Sequence, residues 1–221
     1  MKPLLAALLL ALAAGPALAT DIENHGPHPF NVRDLVMMDR VGDPQLSPDG
    51  RYAAFAVRST DYAANKGVTA LYVLDLDKGG EPVKVVDRGS APRWSADGAS
   101  LFYLAPAEGV TQLWRRELGA AADKSGKSVL HPEQAATPLQ VTRGPLDVDA
   151  YKLSPDGRAA LLSYAVFTDC ADLACTKERL DGRAQNKATG TVYDKLFVRH
   201  WDTWADGRRS QLYAASFDAE G

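Results

Sequence analysis

The chain has 221 residues, 25 Lys and Arg against 28 Asp and Glu, and a formal net charge of −3. Both signs are spread along it, so there is no basic stripe of the kind that tracks nucleic-acid phosphates, and nucleic acid is not an expected partner. Beyond the first residues no apolar run approaches the roughly 18 that a membrane helix needs.

The first residues read MKPLLAALLLALAAGPALA. Lys2 is a positive n-region, Leu4 to Ala14 an apolar run of 11 residues, and Ala17-Leu18-Ala19 a small-x-small cleavage site. This predicts a secretory signal peptide over 1–19 and a periplasmic or secreted mature chain with no membrane partner. Removing Lys2 takes the net charge from −3 to −4. The segment 20–40 holds a polar, Pro-containing arm and then FNVRDLVMMDRV, where Asn31 as cap and Asp34 three residues on predict a short helix.

The pattern then changes to strands. LSPDGRYAAFAV (Leu46 to Val57) is a Ser-Pro-Asp-Gly turn followed by an apolar run. Pro presets φ, Asp bonds neighbouring backbone and Gly supplies positive φ, so a hairpin is expected. TALYVLDLD and PVKVVDR complete four antiparallel strands. WSADGASLFYLA (Trp94 to Ala105) and LSPDGRAALLSY (Leu153 to Tyr164) repeat the turn, the three serines Ser47, Ser95 and Ser154 lying 48 and 59 residues apart. QLWRREL and QLYAASFD repeat the third strand. A four-stranded unit recurring at this period predicts an all-β partial β-propeller, against a solenoid or a plain sandwich that has no reason to repeat its own text. The expected blades are 41–90, 91–146 and an incomplete third over 147–221, with an excursion from Gly119 to Thr137 and an insertion at about 168–209. Phe55, Tyr72, Trp94, Phe102 and Trp114 are expected in the blade cores. Propellers close with about four to eight blades, so the chain is expected to be the N-terminal piece of a longer protein, since an open ring would leave strand edges exposed.

The insertion carries Cys170 and Cys175 in DCADLAC. In an oxidising compartment such a pair reads as a disulfide; a metal site would need further ligands, and no His lies near. His25 and His28 are separated by Gly26-Pro27 and His131 stands alone, so no metal is expected. SGKS (Ser125 to Ser128) has Ala121 where a phosphate loop needs Gly, and DLDKGGE (Asp75 to Glu81) has Val86 where a calcium loop needs its twelfth-position Glu. No cofactor is expected. RHWDTW (Arg199 to Trp204) is the candidate site. Arg199 offers a planar cation, Asp202 a carboxylate for an ammonium, and Trp201 and Trp204 flat apolar faces. The alternative is that both indoles pack the insertion onto its blade while Arg199 and Asp202 pair.

Three features taken together resemble a known family: the helix leading into VRDLVMMDRVGDPQLSPDG, the SPDG blades, and VYDKLFVRHWDTWADGRRSQLY. The resemblance is to the N-terminal propeller of S9-family serine peptidases of the prolyl oligopeptidase clan, on the dipeptidyl-peptidase 5 and acylaminoacyl-peptidase branch. It implies a propeller that filters peptide substrates by size and presents them to the protein's own C-terminal α/β-hydrolase domain. That domain carries Ser, Asp and His, the Ser on a Gly-x-Ser-x-Gly elbow. No such elbow occurs in these residues, so no catalytic residue can be assigned and the chain alone is expected to lack peptidase activity. A TolB-like propeller that binds a protein or peptide without chemistry shares the SPDG repeat and stands as the alternative.

Overall fold

The computed structural model describes residues 27–122, 128–188, 190, 192–193, 196 and 198–217. The expected signal peptide and most of SGKS lie outside them. The chain divides into two units, Met1–Val36 and Met37–Gly221. In the first, Asn31 Oδ1 accepts from the backbone N–H of Arg33 (2.8 Å), and the Asn31 N–H donates to Asp34 (2.7 Å). This reciprocal cap starts helix α1, Val32–Met37.

Among the described residues the second unit is built from three antiparallel sheets of three or four strands, with two two-stranded ribbons beside them. The first contains β1 (Arg40–Leu46), β2 (Tyr52–Asp61), β3 (Lys66–Asp75) and β4 (Val83–Val86) in sequential order. The second contains β5 (Ser90–Trp94), β6 (Ser100–Ala107) and β7 (Val110–Glu117). Before its fourth strand the chain makes a ribbon of β8 (Ala120–Ala122) and β9 (Ser128–Leu130) and a 3-10 turn at Pro132–Gln134. It then returns as β10 (Leu139–Gln140) beside β7. The third sheet contains β11 (Ala150–Leu153) and β12 (Ala159–Val166). Helix α2 (Leu173–Ala184) and a hairpin of β13 (Arg199–His200) and β14 (Thr203–Trp204) follow, and β15 (Arg209–Ser216) closes on β12. These sheets are the blades of a partial all-β propeller.

The three turns use the same bonds. The Ser47 hydroxyl donates to Asp49 (2.6 Å) and accepts from the Tyr52 N–H (3.0 Å). Ser95 does the same with Asp97 (2.5 Å) and Ser100 (2.9 Å), and Ser154 with Asp156 (2.6 Å) and Ala159 (2.9 Å). Gly50, Gly98 and Gly157 each adopt φ near +72°, at 73°, 72° and 71°, which a side chain would strain. Successive turns are neighbours: a Cβ on Gly98 would meet Pro48, and one on Gly157 would meet Ala96. They therefore form one row along one rim.

A second device repeats in the first strands. Asp43 and Ala91 both have positive φ, both precede Pro, and both sit where the ladder slips. These are β-bulges, which re-aim side chains. The Asp43 carboxylate receives Arg93 Nη1 of the next sheet (2.8 Å), and the Ala91 carbonyl receives the Tyr151 hydroxyl of the third (2.7 Å).

Two cores lie between the sheets. Tyr52, Ala54, Leu71 and Val73 pack against Leu101, Tyr103 and Ala105. Phe102, Leu104 and Leu113 pack against Ala160, Leu162, Tyr164 and Val166. Strand β6 thus sends alternate residues into both cores, which is why its sequence is continuously apolar, whereas β12 alternates buried and open positions. Phe102 is buried as expected and Trp94 and Trp114 are partly buried against the first core. Phe55 and Tyr72 differ from expectation. They stack on each other (6.0 Å) on the face away from the second sheet, because Tyr52 and Ala54 take the inward parity of β2.

Candidate functional site

Strand direction decides which loops share an end of the blades. The SPDG turns join first to second strands. The β2–β3 and β6–β7 hairpins must therefore lie at the opposite rim. The segment between β12 and β15 takes the place of that hairpin in the third blade, so α2 and the β13–β14 hairpin rise from the opposite rim.

Helix α2 starts at Asp172, whose carboxylate accepts from the Cys175 N–H (2.8 Å). Cys170 and Cys175 are joined by a disulfide (S–S 2.05 Å) across this first turn. The helix is held to its blade around Phe167, which is buried. The guanidinium carbons of Arg179 and Arg183 each lie 4.6 Å from its ring. Arg179 also grips Asp169 through two bonds (2.9 and 3.0 Å), which holds that carboxyl below its ordinary range. Arg183 Nη1 donates to the Asp206 carbonyl (2.7 Å), tying α2 to the chain that leaves the hairpin. Burial pushes the Asp206 carboxyl upward, but the Arg208 backbone and side chain, with Arg183 nearby, outweigh it and hold it low. Neither α2 nor this Phe167 cluster was expected from the sequence, although Asp172 before LACTKERL is a legible cap.

The RHWDTW hairpin stands clear of the sheets. Trp201 is 85% exposed and Trp204 57%. Trp201 sits at the tip with φ 54°, a conformation non-glycine residues seldom hold. Arg199 pairs with Trp204 across the ladder and its guanidinium carbon lies 5.3 Å from that ring. Tyr193 stacks on the same indole at 6.0 Å. Asp202 is exposed and takes a long bond from the Thr203 hydroxyl (3.4 Å). No ion pair joins Arg199 to Asp202, and neither indole is packed into a sheet. The arrangement brings a cation, a carboxylate and two apolar plates onto one exposed turn.

Among the described residues, no group of three or more His, Cys, Asp or Glu could hold a metal ion. His28 and His131 instead face Asp34 (3.6 Å) and Glu133 (3.2 Å), while His25 lies outside the described residues. Asp75 takes the backbone N–H groups of Asp77 and Lys78 (3.0 Å each), as a hairpin turn does. Among the described residues no helix is long and apolar enough to cross a membrane.

The fold and this elaborated rim define the class: propeller blades with a decorated third blade. No protein-family model matches the chain. It is 30% identical over 177 residues to dipeptidyl-peptidase 5 of Porphyromonas endodontalis, which covers 78% of this chain and 22% of that protein. The blades superpose on Pyrococcus horikoshii acylaminoacyl peptidase with a TM-score of 0.55 at 14% identity, over 82% of this chain and 24% of the other. They also superpose on the AtxE2 isopeptidase of Asticcacaulis excentricus, solved with Astexin3-dC4 bound, with a TM-score of 0.54 at 22% identity over 84% and 30%. The sequence likeness supports an S9-family peptidase propeller-like segment, and the superpositions show the propeller fold. The chain spans about a quarter of the length of the curated relatives it matches, 22% and 26% for the first two.

Proposed function

We propose that this chain is the propeller part of an exported serine exopeptidase of the dipeptidyl-peptidase type, and that it admits and positions peptide substrates for a Ser-Asp-His hydrolase domain elsewhere in the complete protein. The observation that carries the reading is the exposed RHWDTW turn. Arg199, Trp201, Asp202 and Trp204 offer a carboxylate for a peptide ammonium, a cation for a carbonyl or carboxylate, and indole faces for side chains. The sequence likeness to dipeptidyl-peptidase 5 supplies the reaction class, and the layout of residues 1–19 supplies export. Cys170–Cys175 and the Phe167 cluster act as the footing that keeps the turn in place.

The test uses the full-length product of the gene on dipeptidyl substrates that carry a chromogenic leaving group, with a free or an acylated amino end. Trp201→Ala and Asp202→Asn are expected to raise KM for free-amine substrates about tenfold with kcat nearly unchanged, the pattern of a lost binding contact. Unchanged KM in both variants would remove the turn from substrate binding.

A further inference from the structure

The turn serines give the three blades a common numbering. Tyr52 and Ala54, five and seven residues after Ser47, meet Leu101, Tyr103 and Ala105, which lie six, eight and ten after Ser95. The next junction follows the same rule. Phe102 and Leu104, seven and nine after Ser95, meet Ala160, Leu162 and Tyr164, which lie six, eight and ten after Ser154. Odd offsets therefore face the following blade and even offsets the preceding one. Among the described residues two faces are left with no sheet across them. On the first sheet it is the even set, Ala53, Phe55 and Val57, with Leu74 and Tyr72 opposite on β3 and Leu46 opposite on β1. On the third sheet it is the odd set, Ala159, Leu161 and Ser163, with Ala214 and Leu212 opposite on β15. Leu46, Leu161 and Leu212 are 66%, 45% and 71% exposed. Trp94 and Leu153, which precede their serines as Leu46 precedes Ser47, are instead half-buried in the core shared with the preceding blade.

The two faces are thus the two halves of one repeated interface, the first sheet offering the half that receives a preceding blade and the third the half that receives a following one. We infer that a second copy of this chain covers them, the third sheet of each copy packing on the first sheet of the other. Leu161 then stands where Ala54 and Phe102 stand in the junctions within one copy, and Phe55 stands where Tyr103 and Leu162 stand. Two copies bring six sheets, inside the four to eight at which propellers close. The two contacts are identical and related by a twofold axis, so the assembly ends at a pair. Water exclusion from both apolar faces drives it. A second copy is favoured over an unrelated partner because this chain itself carries the matching half of each face. The inference does not depend on the peptidase reading; in a longer product, further blades of the same chain would compete for both faces.

The test is sedimentation velocity of residues 20–221, the chain without its expected signal peptide, across a wide range of concentration. A reversible pair with no larger species is expected. Leu46→Glu on one face and Leu161→Glu on the other alter exposed side chains, so the sheets should persist, which circular dichroism checks. Each is expected to weaken the pair by at least about a hundredfold, because in a symmetric pair the substitution enters both contacts. Leu212→Glu, a second variant on the third sheet, should behave as Leu161→Glu does. A mixture of Leu46→Glu and Leu161→Glu copies should regain part of the association, since one of its two contacts then carries neither substitution. A monomer at every concentration overturns the proposal, as does growth into an open series or a mixture that associates no better than either variant alone. A pair that survives Leu161→Glu but not Leu46→Glu would join two first sheets, and one that survives both would join the outer edges of β15; either result overturns it too.

Discussion

The Arg183 guanidinium lies 4.6 Å from the Phe167 ring and at the same time donates to the carbonyl of Asp206 at 2.7 Å. One side chain therefore joins the end of a blade strand, a helix and the link that leaves the RHWDTW hairpin. Arg183→Ala is expected to cost about 0.5–1 kcal/mol, the size of an exposed cation–π contact with one hydrogen bond. Hydrogen exchange should speed up at residues 205–209 and in the last turn of α2 while β11 and β12 stay protected. Uniform loss of protection across the third sheet would contradict this footing.

The turn serines are structural. Ser47 and Ser95 are buried, and each satisfies a backbone N–H five residues on while donating to its Asp. Replacing either by Ala leaves that buried N–H without a partner and takes one of its donors from the carboxylate, which should cost about 1–3 kcal/mol by chemical denaturation. Ser154→Ala, at a more open turn, should cost less. An equal cost at all three would mean that burial does not set the penalty.

Acid should weaken the same row. The Ser95 hydroxyl, then the Ala99 N–H, holds the Asp97 carboxyl below its ordinary value of 3.8 against partial burial, and Ser47 and Ser154 do likewise for Asp49 and Asp156. A carboxyl depressed in the folded state adds stability that is present above its unfolded value and is lost as pH falls through the folded one. The urea midpoint should therefore be flat down to about pH 5 and fall below about pH 4. Asp97→Asn should make that acid limb shallower. A limb of unchanged slope would assign the acid loss to other carboxyls.

Gln112 is a buried polar side chain with every bond made. Its carbonyl accepts from Thr142 (2.7 Å) and the Gly144 N–H (3.0 Å), and its amide donates to the carbonyls of Gly144 and Leu146 (3.1 and 3.3 Å). It fixes the path from the second blade to the third. Gln112→Leu keeps the volume and strands those partners, so it should cost about 2–4 kcal/mol. A loss below about 0.5 kcal/mol would show that water replaces the amide.

Much of the blade plan is legible in the sequence because it repeats a local rule. Ser-x-Asp-Gly writes the same turn bonds three times, and Asp43-Pro44 and Ala91-Pro92 place matching bulges four residues before their serines. The continuous apolar run of β6 against the alternation of β12 even signals two-sided and one-sided burial. What escaped is set by distance in the chain. Phe55 and Tyr72 look like core until the parity of Tyr52 is known. The Leu130 N–H bonds to the Tyr52 hydroxyl across 78 residues (3.0 Å), which no local pattern announces. RHWDTW is conspicuous by composition, but its support by Arg183 and Phe167 comes only from folding.

The proposed role depends above all on the reaction class. Treatment of the full-length gene product with a fluorophosphonate probe, read by intact-protein mass spectrometry, tests it most directly. Labelling of a single serine outside residues 1–221 is expected, with loss of dipeptidyl-peptidase activity in step with labelling. An unlabelled product that still binds peptides would contradict it and leave these blades as a binding propeller without chemistry.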